Sequence, residues 1–169
     1  PQTLGGYWKS WNPKEDKTGK GYDLSPRLTQ KPAEWLAGLP DFERPDGAFP
    51  IEPAAFRTFL ANHGCCSAHR PKTETLYQPP LVILPQAPGC SARGARAYRS
   101  LSVPVAFSQS HYGYSCAGHA CPETLASLIY LLGHSRLFRY VCLMTSIRAG
   151  FDRQTFNKGD FDALPFPDV

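Results

Sequence analysis

Apolar residues are unevenly spread along this chain, and their spacing predicts where regular structure starts and stops. After Pro53, Ala54, Ala55, Phe56, Phe59 and Leu60 recur at helical spacing, and Asn62 and Gly64 can end the run. This predicts a helix over 52–62. Leu81-Val82-Ile83-Leu84, with Leu76-Tyr77 just ahead, is an apolar run bracketed by Pro79-Pro80 and Pro85. Such a run between breakers reads as a buried strand. Leu101–Phe107 is a second strand candidate, with Pro104 implying an edge or a bulge. The clearest helical pattern begins at Pro122: one segment covers 122–132, Gly133 interrupts, and Ser135 caps a second over 135–146. Leu128, Leu131 and Leu132 are expected to face inward on the first segment, and Leu137, Phe138, Val141 and Leu143 on the second. Phe151–Phe156 reads as a last strand, followed by a turn into Leu164-Pro165-Phe166-Pro167.

Residues 1–50 have little periodicity beyond a short helical turn after Pro32. Trp8, Trp11 and Trp35 lie among Lys9, Lys14, Lys17, Lys20, Arg27 and Lys31. The charges predict a solvated basic arm or linker, and the indoles predict that it is pinned to something. The expected division is therefore an irregular basic arm over 1–50 and a domain over 51–169.

Composition narrows the class. Hydrophobic residues make up 42% of the 169, enough for a real core, which excludes wholesale disorder. Seventeen prolines and 14 glycines, spread throughout, argue against a helical bundle and for short strands and loops. A net charge of +4 permits a polyanionic partner without requiring one. There is no signal peptide and no membrane-length apolar run, and the six cysteines lack framework spacing. Reduced thiols in a cytoplasmic protein are expected. Beginning at Pro1, the chain reads as a piece of something longer.

The carboxy-terminal third carries a resemblance. Leu128-Ile129-Tyr130-Leu131-Leu132-Gly133-His134-Ser135-Arg136-Leu137-Phe138-Arg139-Tyr140 is similar to a leucine-rich helix, small-residue break and Ser-x-Leu-Phe stretch. The ending Phe156–Pro167, with Gly159-Asp160 and Leu164-Pro165-Phe166-Pro167, and the upstream Tyr77-Gln78-Pro79-Pro80-Leu81-Val82-Ile83 follow the same pattern in the same order. Together they resemble the target-recognition regions of restriction-modification adenine-N6 DNA methyltransferases, over about residues 70 to 169. The resemblance implies an α+β fold: a twisted, largely antiparallel sheet with flanking helices and a carboxy-terminal helix pair, rich in loops. It also implies duplex DNA as partner, a bacterial or archaeal cytoplasm, and a catalytic methyltransferase domain acting in cis or in trans.

Catalysis is not expected within this chain. The family's loop is Asn, Asp or Ser, then Pro-Pro, then Tyr or Phe; its polar groups accept from the target amine and its ring stacks on the flipped base. Gln78-Pro79-Pro80-Leu81 has Gln where the acceptor belongs and Leu where the ring belongs. No Gly-rich strand-to-helix turn is present to hold S-adenosylmethionine, since Gly19-Lys20-Gly21 lies in the charged arm. That cofactor is expected only in a parent enzyme. No nucleophile-elbow spacing supports a hydrolase. His63, Cys65, Cys66 and His69, and separately His111, Cys116, His119 and Cys121, contain zinc-type ligands. Neither group has C-x-x-C knuckles and Cys65-Cys66 adjacency suits chelation poorly, so no metal is assigned.

The candidate DNA contacts fall on three segments. One is the amino-terminal Lys and Trp arm, which either follows the duplex backbone or docks as a linker on a neighbouring domain. Arg93, Arg96 and Arg99 recur every third residue, which suits phosphate contacts along one edge. Within Ser108–Ser115, Gln109 has the chemistry to read adenine bidentately, and Ser110 and His111 to bond base edges or phosphates. The bland alternatives are a solvated basic loop and a hairpin with partly buried tyrosines. A competing role for the whole chain is a protein-interaction module that docks a catalytic partner through the helix pair 122–146.

Overall fold

A computed structural model describes residues 2–14, 16–25, 27–42, 57–58, 67–87, 97–145, 156–167 and 169. Its centre is the strand β6 (Leu81–Pro85), whose Leu81, Val82, Ile83 and Leu84 are all buried. Side chains alternate across a strand, so Val82 and Leu84 enter one core while Leu81 and Ile83 enter another. Burying each such side chain contributes roughly 1.5–3 kcal/mol, which makes this short run the anchor of the domain. Antiparallel neighbours flank it: β7 (Tyr98–Ser100) on one side and β8 (His111–Ser115) on the other, with β1 (Thr18–Lys20) beyond β8. Short antiparallel pairs lie apart from this sheet: β2 (Lys31–Pro32) with β5 (Ser67–Ala68), and β3 (Pro40–Asp41) with β4 (Arg57–Thr58). The class is α+β with a mostly antiparallel open sheet, as expected.

Helices cover one face. The helix α1 (Leu4–Trp11) is capped by Thr3, whose Oγ1 accepts from the Gly6 N–H (3.1 Å). It buries Leu4, Tyr7 and Trp8 in the same core as Val82 and Tyr114. The amino-terminal residues are therefore not an irregular arm: they supply a helix and the sheet's edge strand β1. Residues 4, 7, 8 and 11 share one helical face, and the turn-breaking Gly5-Gly6 obscured that period. The expected pinning of the indoles is met at Trp8, 1% exposed and edge-on to Tyr114.

The helix pair forms as α2 (Pro122–His134) and α3 (Arg136–Thr145). Ser135 Oγ accepts from the Phe138 N–H (3.0 Å), the cap expected of it. On α2, Leu128 and Leu132 pack against the core as expected and Leu125, Ala126, Ile129 and Gly133 are buried, whereas Leu131 is 60% exposed. Gly133 is thus a packing contact against Ala97 and Leu84 inside the helix, not an interruption. On α3, Phe138 is buried but Leu137 is 50% exposed.

The strand expected over Leu101–Phe107 is displaced to Tyr98–Ser100. Ser100 Oγ donates to the Val103 carbonyl (2.6 Å) and turns the chain, and Pro104 has no N–H for a ladder. Of the helix expected over 52–62, only Arg57–Thr58 are described, and they form β4 instead. The strand expected at Phe151–Phe156 lies outside the described residues except for Phe156, whose N–H donates to the Gln86 carbonyl (2.8 Å) outside any strand. The chain closes with α4 (Lys158–Asp162), held by an Asn157–Asp160 capping box, and the Leu4 N–H donates to the Leu164 carbonyl (2.8 Å). Among the described residues, no helix is long and apolar enough to cross a membrane.

Candidate functional site

The antiparallel register brings the end of β1, the end of β6 and the start of β8 to one end of the sheet. Lys20 pairs with Tyr112, and Pro85 with His111. The backbone beyond β1 then presses on the turn before β8. Tyr22 N–H donates to the Phe107 carbonyl (3.0 Å), and Gln109 N–H to the Tyr22 carbonyl (2.8 Å). From the other side, Gln86 N–H donates to the Ser110 carbonyl (2.8 Å). The turn Ser108-Gln109-Ser110 is therefore clamped by its backbone while the Gln109 and Ser110 side chains stay exposed.

A polar network surrounds this turn. Asp23, 6% exposed, accepts at Oδ1 from the Ser25 hydroxyl (2.6 Å), the Ser25 N–H (2.9 Å) and Gln109 Nε2 (3.1 Å). The Ser25 hydroxyl and then its N–H hold the Asp23 carboxyl below the usual carboxylate range. With the Gln86 amide turned to satisfy both ends, its oxygen accepts from Lys20 Nζ (3.2 Å) and its nitrogen donates to the Gln109 carbonyl (3.3 Å). Asp23 also pairs by its backbone with Arg70, whose carbonyl accepts the Asp23 N–H (3.2 Å). Nearby, Lys72 sits at φ 67, a left-handed conformation unusual for a side chain of its size. Desolvation, and then repulsion from Arg70 and Lys20, hold the Lys72 ammonium below the ordinary lysine range. Lys20, Arg70 and Lys72 thus lie near one another, with the Asp23 carboxylate among them offsetting part of their charge.

The sequence candidates divide across the molecule. Gln109, Ser110 and His111 come together at this end. His111 is only 7% exposed; its ring lies edge-on to Phe42 at 5.1 Å and its Nδ1 is 2.9 Å from Ser110 Oγ. Its geometry supports the turn from beneath. Arg99 lies on β7, the opposite edge strand, with its guanidinium 4.7 Å over the Tyr130 ring and Nη1 donating to Ser127 Oγ (2.8 Å). It fastens α2 to the sheet. Arg93 and Arg96 lie outside the described residues. Sequence reasoning missed Asp23, Gln86, Arg70 and Lys72, and placed Lys20 in an arm. The signal available was Arg70-Pro71-Lys72, where cations flank a proline that favours extended, exposed backbone.

The near-miss Pro-Pro motif is built into the sheet. The Pro80 carbonyl accepts the Cys116 N–H (2.7 Å), the Gln78 carbonyl accepts the Ser115 hydroxyl (2.6 Å), and Leu81 is fully buried. Gly19 and Lys20 pair along β8, and the Gly21 N–H donates to the His111 carbonyl (3.2 Å), so this segment continues as strand instead of turning into a helix. Cys116 is buried, which pushes its thiol up to about 12. His119 Nδ1 accepts the Cys121 N–H (3.0 Å), which leaves the neutral ring's proton on Nε2, 2.6 Å from Tyr7 Oη. Among the described residues, no three His, Cys, Asp or Glu side chains converge as a metal site. Cys65, Cys66 and His63 lie outside them.

Comparison with protein-family models, with curated proteins and with solved structures finds no match to this chain.

Proposed function

We propose that this chain reads duplex DNA sequence-specifically, as the specificity domain of an adenine-N6 DNA methyltransferase or combined restriction-methylation enzyme. In this reading, S-adenosylmethionine and the transfer chemistry belong to a separate catalytic domain, in cis or in trans. The observation that carries it is the Ser108-Gln109-Ser110 turn, clamped by backbone bonds with Gln109 and Ser110 exposed. Next to it lie Lys20, on Gln86, and Asp23, whose backbone pairs with Arg70 and whose charge Lys72 senses. Cations position a phosphate backbone, and a polar turn on a rigid sheet addresses base edges. A second support is that the segments of the sequence resemblance share one core, with Val82, Ile129, Phe138, Phe156, Phe161 and Phe166 packed together. Selection from a random-sequence duplex pool tests the reading. It expects salt-sensitive binding and enrichment of a short motif; no binding to any duplex contradicts it.

One observation favours partner docking as a second reading. Leu131, Leu137, Tyr140 and Met144 are 60%, 50%, 62% and 68% exposed on the helix pair. Leu137, Tyr140 and Met144 recur at helical spacing on α3, and exposed apolar side chains on one helix face mark interaction sites. The partner in this reading is the catalytic methyltransferase domain. Replacing Tyr140 and Met144 with Lys is expected to abolish its capture and leave duplex binding intact. Loss of duplex binding instead would assign this surface to DNA.

A further inference from the structure

We infer that Gln109 reads an adenine in the major groove and that Asp23 is the positioning residue that fixes its amide for the task. The inference rests on the DNA-reading role proposed above and names the specificity determinant within it. Gln109 is exposed, at the tip of a turn whose backbone is held by Tyr22 and Gln86. Its Nε2 carries two hydrogens, and one is directed to Asp23 Oδ1 (3.1 Å). Its Oε1 has no hydrogen-bond partner among the described residues.

The carboxylate settles which way the amide faces. A flipped amide would set Oε1 against Asp23 Oδ1, acceptor against acceptor, so the donor stays on the Asp23 side. Asp23 is itself immobilised: Ser25 donates to it through both hydroxyl and N–H, and its backbone pairs with Arg70. What remains on this exposed side chain is one N–H and one carbonyl oxygen, side by side on the amide and in an order that Asp23 fixes. Adenine presents the complement, N7 as acceptor and the N6 amine as donor. Guanine presents two acceptors, N7 and O6, and would leave Oε1 facing an acceptor. Because the long side chain is already restrained, less of its freedom is lost on binding.

The test is sequence selection from random duplexes by the full chain and by Gln109→Ala, Asp23→Ala and Asp23→Asn, with folding checked by circular dichroism. The wild type is expected to enrich a motif with a fixed adenine. Gln109→Ala should lose that preference by about ten- to a hundredfold at that position alone, with the other positions unchanged. Asp23→Ala should broaden the same position, and Asp23→Asn, which keeps an acceptor oxygen, should restore part of it. Should Asp23→Ala fail to fold, Gln109→Ala and Asp23→Asn carry the result, since Gln109 is exposed and its truncation disturbs no core. Adenine preference retained in Gln109→Ala, or affinity lost evenly at all positions, overturns the inference while leaving DNA reading intact. Absence of duplex binding by the wild type overturns DNA reading itself.

Discussion

Gly21 passes so close to Phe107 that a Cβ built on it would overlap the Phe107 carbonyl oxygen and stand 2.5 Å from that of Ser108. This contact joins the end of β1 to the turn that carries Gln109. Any side chain at Gly21 must push one backbone off the other. We expect Gly21→Ala to cost about 1–3 kcal/mol of stability. Duplex affinity should fall further than that loss of folded protein explains. Urea midpoints together with binding under conditions where the variant is fully folded check both parts.

Gly133 is the second close approach. A Cβ there would lie 2.7 Å from Ala97 Cβ and 2.8 Å from Leu84 Cδ2. Helix propensity alone favours Ala over Gly by about 1 kcal/mol, yet overpacking a core costs about 1–3 kcal/mol. Gly133→Ala is therefore expected to destabilise. Adding Ala97→Gly removes the clashing methyl and should recover part of the loss, a coupling that a double-mutant cycle measures. Additive effects would show that the contact is unimportant.

Lys72 links backbone strain to charge. Asn tolerates the left-handed conformation that Lys72 adopts and removes the cation. Lys72→Asn should leave the urea midpoint near that of the wild type while weakening duplex binding. The pH dependence follows from the lowered ammonium value. With its folded pKa below the unfolded one, Lys72 binds fewer protons in the folded state, so its penalty on stability is relieved as pH rises through that window. A phosphate beside it favours the charged form, so binding takes up a proton. Affinity should decline as pH rises toward the ordinary lysine range, and less steeply in Lys72→Asn. A pH-independent wild type would contradict this.

Arg99 provides the opposite expectation. Its guanidinium stacks on Tyr130 and bonds Ser127, so Arg99→Ala should lower stability by about 1–2 kcal/mol. Binding per folded molecule should stay unchanged. A loss of affinity without a loss of stability would return Arg99 to the DNA surface.

What the sequence made legible was local. The run Leu81–Leu84 announced a strand because breakers bound it and every side chain is apolar. Pro122 and Ser135 announced the helix pair because caps act on the nearest turn. Long-range geometry was not legible. Nothing local tells that Lys20 and Tyr112 would pair, or that Asp23 would reach Gln109 across 86 residues. For the same reason Arg99 looked like a free cation: its partners, Ser127 and Tyr130, lie a helix away. Gly133 read as a break because a glycine in a helical pattern looks alike whether it ends the helix or admits a neighbour. Gln109 was identifiable from its chemistry and its place in a polar segment, but the residue that orients it was not.

The most direct measurement is the salt dependence of duplex binding by the wild type and by a variant with Lys20, Arg70 and Lys72 all replaced by Ala. Plotted as log affinity against log salt from about 50 to about 200 mM, the wild type should fall steeply, as phosphate contacts require. The triple variant should lose about three from the magnitude of that slope, one for each cation that meets a phosphate. An unchanged slope, or no duplex binding by the wild type at low salt, would contradict the account.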